Sequence, residues 1–74
     1  MNQKDIENIF TYHKPFGNQA YRYEHLRDMA RSLANEINSY CPESREKSLA
    51  LTNLQQAIMW ANAAIAINEK EEKI

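Results

Sequence analysis

The stretch SLALTNLQQAIMWANAAIAIN, from Ser48 to Asn68, carries no charged residue over 21 positions, in a chain where 26% of all residues are charged. Its second half, AIMWANAAIAI (Ala57–Ile67), is apolar at every position except Asn62. A helix that is apolar on all sides must be covered on all sides. A chain of 74 residues leaves too little other material to do so. The expectation is a core built from several copies of the chain, with any binding site between subunits.

The spacing inside the stretch gives the covering surfaces. Leu51, Leu54, Ile58, Ala61 and Ile65 form one helical stripe, and Ala50, Ala57, Trp60, Ala64 and Ile67 form a second beside it. Two stripes suit two partners: the other long helix of the same chain, and a neighbouring chain. The alanines at 57, 61, 63, 64 and 66 permit close helix approach around Trp60.

Outward from this stretch, Pro15, Gly17 and Pro42 act as punctuation. The residue before a proline is pushed out of helical geometry, so Cys41-Pro42 separates two helices. The expected elements are a short helix over 4–10, a long helix over 19–40 and a second long helix over 43–69. The first carries Ile6, Ile9 and Phe10, and is too short to stand alone. In the second, Leu26, Met29, Ala30, Leu33, Ile37 and Tyr40 recur at three- and four-residue steps. Pro42 or Glu43 begins the third, and the charged tail from Glu69 is expected to fray. A short connection makes the long helices antiparallel. The fold class is therefore all-α: a short N-terminal helix plus a two-helix hairpin, one domain over 1–74, assembled into a compact homo-oligomer.

Bulk properties narrow the function classes. Nine basic and ten acidic residues give a net charge of −1, which argues against a DNA- or RNA-polymer binder with a basic stripe. The single cysteine, Cys41, excludes an intrachain disulfide and is read as a small buried apolar residue in a reducing compartment. Residues 1–10 hold Asp5 and Glu7 and no apolar run, so no signal peptide is expected. The uncharged stretch contains Thr52, Asn53, Gln55, Gln56, Asn62 and Asn68, so no membrane span is expected either.

Three segments combine groups able to hold an anion or a nucleobase. Phe10-Thr11-Tyr12-His13-Lys14-Pro15 joins two aromatic rings, an imidazole and an ammonium. Stacking on an aromatic is worth about 1–3 kcal/mol per base. The plainer reading is that Phe10 and Tyr12 anchor the short helix. Tyr21–Arg27 places Arg22 and Arg27 around Tyr23 and His25 at a helix start; the alternative is a solvated face with Arg–Glu pairs. Ser44, Arg45, Ser48 and Thr52 fall near one face at the start of the last helix, which suits phosphate or simple capping. Signatures of catalysis are missing: no Ser–His–Asp spacing, glycine-rich phosphate loop or H-E-x-x-H occurs. No catalytic residue, metal or cofactor is expected.

Taken together, F-T-Y-H-x-P (Phe10–Pro15), R-Y-x-x-L-R (Arg22–Arg27) and C-P-E-S-R-E-K-S-L-A-L-T-x-L-x-x-A-x-M-W-A-N-A-A-I-A (Cys41–Ala66) resemble the phage-encoded anti-CBASS cyclic-oligonucleotide sponges. These share a hairpin domain with one group of anti-Thoeris sponges. The resemblance covers residues 5–68. It implies a small helical protein in compact oligomers, typically hexamers. Such proteins bind cyclic dinucleotides, such as 3′,3′-cyclic GMP–AMP, and often cyclic trinucleotides at a separate site, without cleaving them. Sequestration keeps an immune effector inactive in the cytoplasm of the infected bacterial host.

The same resemblance implies residue roles. Tyr12 would stack on a cyclic-dinucleotide base, His13 and Pro15 would shape that pocket, and Arg27 would meet the phosphates. Arg45, Ser48 and Thr52 would serve the trinucleotide pocket. Trp60 would serve packing, and Asn62 would bond across an interface. The loop KPFGNQ places Phe16 and Gly17 where family members vary. The competing reading is a structural or adaptor oligomer that associates through the Trp60 face and has no nucleotide ligand.

Overall fold

A computed structural model describes residues 1–71, with three helices in that range: α1 (Gln3–Ile9), α2 (Gln19–Tyr40) and α3 (Arg45–Asn68). No strand occurs among the described residues. The architecture is all-α, with a short N-terminal helix followed by a two-helix hairpin. The last three residues of the charged tail lie outside the described range.

Each boundary has a local cause. Asn2 starts α1 through a capping box: its Oδ1 accepts from Asp5 N at 2.9 Å, and Asp5 Oδ2 accepts from Asn2 N at 3.3 Å. Gly17 sits at φ 56°, a left-handed conformation that a side chain would strain, and turns the loop into α2. α3 begins at Arg45 rather than at Pro42 or Glu43, because Ser44 takes the cap and its Oγ accepts from Lys47 N at 3.1 Å. The expected fraying from Glu69 is also corrected. Glu69 is the C-terminal cap residue of α3 and is tied to α2.

The two stripes of α3 separate in the fold. Leu51, Leu54, Ile58, Ala61 and Ile65 are half-buried, as are Leu26, Ala30, Ala34 and Ile37 of α2. In the second stripe, Ala50, Ala57, Trp60 and Ala64 are exposed, and Trp60 retains 74% of its accessible surface. The expected α2 stripe splits as well: Met29, Leu33 and Tyr40 are exposed. Cys41 is exposed rather than buried, because it caps α2 at the tip of the hairpin.

One chain makes no hydrophobic core. Among the described residues no apolar side chain is buried, and the two buried residues are polar: Gln19, 3% exposed, and Lys47, 8% exposed. The Cα radius of gyration is 15.9 Å, against about 11 Å for a compact domain of this length. The extents are 51 × 28 × 13 Å, so the thinnest dimension is close to one helix diameter. The accessible surface is 6346 Å². A compact monomer of this mass would show about 4,700 Å².

Candidate functional site

The segment between α1 and α2 is held at both ends by the close of α3. On its N-terminal side, Asn8 Nδ2 donates to Ile67 O at 3.1 Å. His13 Nε2 lies 2.7 Å from Asn8 O. A carbonyl only accepts, so Nε2 carries the hydrogen and Nδ1 remains for another partner. On the C-terminal side, Gln19 Oε1 accepts from Phe16 N at 3.1 Å, while Gln19 Nε2 donates to Glu69 Oε1 at 3.0 Å. Arg22 completes this arrangement with a fork on Glu69, Nη1–Oε2 at 2.7 Å and Nη2–Oε1 at 2.5 Å. Hydrogen bonds from Arg22, then from Gln19, hold the Glu69 carboxyl down at about 2, and the same contact raises the Arg22 guanidinium.

Arg22 is thus committed to an ion pair, as the plainer reading of the Tyr21–Arg27 segment had it. Tyr21 and His25 of that segment stack on each other, with ring centroids 6.0 Å apart. The other face of the segment behaves differently. Tyr23 and Arg27 lie one turn apart, and with His13, Asn62, Ala63 and Ala66 they line a groove of about 300 Å³. Among the described residues Arg27 makes no salt bridge. A second groove, about 370 Å³, continues from Arg27 and Asn62 along the hairpin to Arg31, Gln55 and Met59. Where the two grooves meet, Asn62 Oδ1 is buried and has no hydrogen-bond partner. A buried acceptor of this kind calls for a donor from outside the chain.

The residues expected from sequence therefore fall in three places. His13 and Arg27 share the groove. Tyr12 and Pro15 are exposed on the loop between α1 and α2 and line neither groove, and Tyr12 retains 82% of its surface. Phe10 is also exposed, so neither aromatic anchors α1; the Asn8–Ile67 bond does that. Arg45, Ser48 and Thr52 are exposed on the first turns of α3 and line neither groove. Thr52 precedes Asn62 by ten residues of continuous helix, about 15 Å along the axis. The two sets are separate locations on one chain.

The sequence reading includes Tyr23 in the Tyr21–Arg27 segment and gives Asn62 a bond across an interface, but it places neither of them, nor the alanine floor at Ala63 and Ala66, in the pocket with His13 and Arg27. The four-residue step from Tyr23 to Arg27, and from Arg27 to Arg31, was the available signal. Chemically, a free guanidinium suits a phosphate, and an aromatic ring, an imidazole and a floor of methyl groups suit a planar base. The groove volume stands at the lower limit for small-ligand sites, about 300–1,000 Å³. That size fits part of a pocket that a second chain would complete.

The chain is thus a thin helical hairpin with an uncovered apolar stripe and a cationic and aromatic groove. The family model described as Acb2/Tad1, hairpin domain, matches residues 1–66, and the chain belongs to this family. Membership fits binding of cyclic nucleotides and self-assembly, in the manner of a sponge rather than an enzyme. No curated protein and no solved structure matches the chain. Among the described residues no helix is long and apolar enough to cross a membrane.

Proposed function

We propose that the chain sequesters cyclic dinucleotide immune messengers such as 3′,3′-cyclic GMP–AMP, and cyclic trinucleotides at a second site, without cleaving them. Acting in the cytoplasm of a phage-infected bacterium, it would keep a CBASS effector from being activated. The supporting observation is the groove that gathers His13, Tyr23, Arg27 and Asn62 within a chain of the Acb2/Tad1 hairpin family. Tyr12 stacks on a base, His13 and Pro15 shape the pocket, and Arg27 binds phosphate. Arg45, Ser48 and Thr52 form the trinucleotide site at the other end of α3.

The pocket is completed by identical chains, most simply in the hexamer usual for the family. The exposed Trp60 and Met59 favour this, as does an accessible surface of 6346 Å². That value exceeds the compact-monomer expectation by about 1,600 Å², about twice the roughly 800 Å² that one partner gives to a standard interface. Asn62 Oδ1 then receives its donor from the ligand or from the neighbouring chain.

The test is calorimetric titration with cyclic dinucleotides and trinucleotides, followed by heat denaturation and chromatography of the released ligand. Tight binding with intact ligand recovered is expected. Linear products would mean a phosphodiesterase. The Trp60 face alone also fits a structural oligomer, and absence of heat or thermal stabilisation with every cyclic nucleotide would establish that reading instead.

A further inference from the structure

The end of α3 holds the loop that carries Tyr12 and His13, and it does so from both sides. Ile67 O receives Asn8, whose own carbonyl fixes the His13 ring. Glu69 receives Gln19, whose amide oxygen takes the Phe16 N–H, and it receives Arg22 through two nitrogens. Gln19 is the most buried of the described residues at 3% exposed, so its amide has a single available arrangement: one end to the loop, the other to Glu69. Buried polar groups must be satisfied, and a network of this kind is rigid only when every member is in place. Ile67 and Glu69 also lie beyond the residues 1–66 matched by the family model.

We propose that Glu69 is a positioning residue for the 10–18 loop, acting through Gln19 and Arg22, and that it sets the residence time of a cyclic dinucleotide at Tyr12 and His13. The second half of this statement rests on the function proposed above; the first half does not. Without Glu69, the Gln19 Nε2 donor loses its acceptor and the amide is free to turn, which releases Phe16 N–H. The loop would then be ordered only when ligand binds. Ordering on binding weakens a complex mainly through faster release.

The test uses the full chain with Glu69→Ala, Arg22→Ala and the double variant. Amide hydrogen exchange without ligand reads the clamp directly. Exchange of the Phe16 amide should rise in Glu69→Ala and in the double variant, and less in Arg22→Ala, which keeps the Gln19–Glu69 bond, while the middle turns of α2 and α3 keep their protection. With 3′,3′-cyclic GMP–AMP as probe, the off-rate should rise about tenfold in Glu69→Ala and in the double variant, the equivalent of one hydrogen bond to a charged group, and less in Arg22→Ala. The double variant should match Glu69→Ala, because that change already removes the Arg22–Glu69 contact. Oligomer mass should not change. Unchanged exchange at Phe16 overturns the positioning role outright. Raised exchange with an unchanged off-rate overturns its link to ligand residence, as does loss of the oligomer in the single variants. A wild-type chain that releases no heat with the dinucleotide overturns the functional reading, and with it the off-rate claim.

Discussion

Lys47 Nζ donates to the backbone carbonyl of Asn38 at 2.9 Å and closes the hairpin from beneath its tip. Asn38 O belongs to the last turn of α2, where carbonyls lack partners within the helix. A cation there also meets the negative end of the helix. The ammonium reaches Glu43 Oε1 at 2.5 Å as well, and that hydrogen bond lowers the Glu43 carboxyl. Lys47 is one of two buried residues among those described, whereas Glu43 is almost fully exposed.

Lys47→Ala should therefore destabilise the protein by about 2 kcal/mol, the range for a hydrogen bond from a charged group together with its stranded acceptor. Glu43→Gln should have little effect, since surface ion pairs contribute little. Urea denaturation at neutral pH distinguishes the two. Equal midpoints for Lys47→Ala and wild type would remove the lysine from its assigned role.

The Arg22–Glu69 fork has a pH signature. The Glu69 carboxyl ordinarily titrates near 4.5 and is held at about 2 in the folded chain. A folded value below the unfolded one means that the stabilisation is full above the unfolded value and lost as pH falls through the folded one. The melting temperatures of wild type and Glu69→Gln should differ from pH 7 to pH 5. They should converge as pH falls from 4.5 toward 2. Carbon-detected titration of the Glu69 side chain reads the same midpoint directly, and a midpoint near 4.5 would remove the fork from solution.

Much of this fold is legible in the sequence because it follows from local patterning. The break at Cys41-Pro42, the glycine at 17 and the two stripes of α3 locate the helices and assign their faces. The α3 start was misplaced because Pro42 and Ser44 are both good helix-start residues, and only the Ser44–Lys47 hydrogen bond decides between them. The site was harder to read. His13 and Arg27 come together through packing of α1 on the end of α3, and no spacing rule relates residues 8 and 67. The roles of Gln19, Lys47 and Glu69 are not legible for the same reason: a polar residue that is wholly or partly buried looks like any surface polar residue until its partner is seen. Cys41 misled in the opposite direction, since a free thiol is usually buried and this one caps a helix.

Tyr12 offers its ring to solvent in the single chain, so its removal should leave the hairpin intact. Tyr12→Ala should weaken cyclic-dinucleotide binding by about 1–3 kcal/mol, the worth of one base–aromatic stack. Titration calorimetry with a parallel mass measurement tests this. Wild-type affinity in the variant would move the stacking role elsewhere, Tyr23 being the nearest ring at the groove.

Trp60 makes a different prediction. Its surface in one chain is mostly exposed, so any large effect of removing it must arise between chains. Trp60→Ala should lose about 3–5 kcal/mol, as large-to-small changes in packed interiors do. The loss should appear as dissociation to smaller species. An equally stable assembly of unchanged mass would show that the tryptophan faces solvent.

A chain without a core of its own should not stand alone, and sedimentation equilibrium at low micromolar concentration addresses this most directly. A single folded species several times heavier than the 8.7 kDa chain is expected. A folded, stable species at 8.7 kDa would contradict it, because one hairpin would then be hiding its tryptophan stripe unaided.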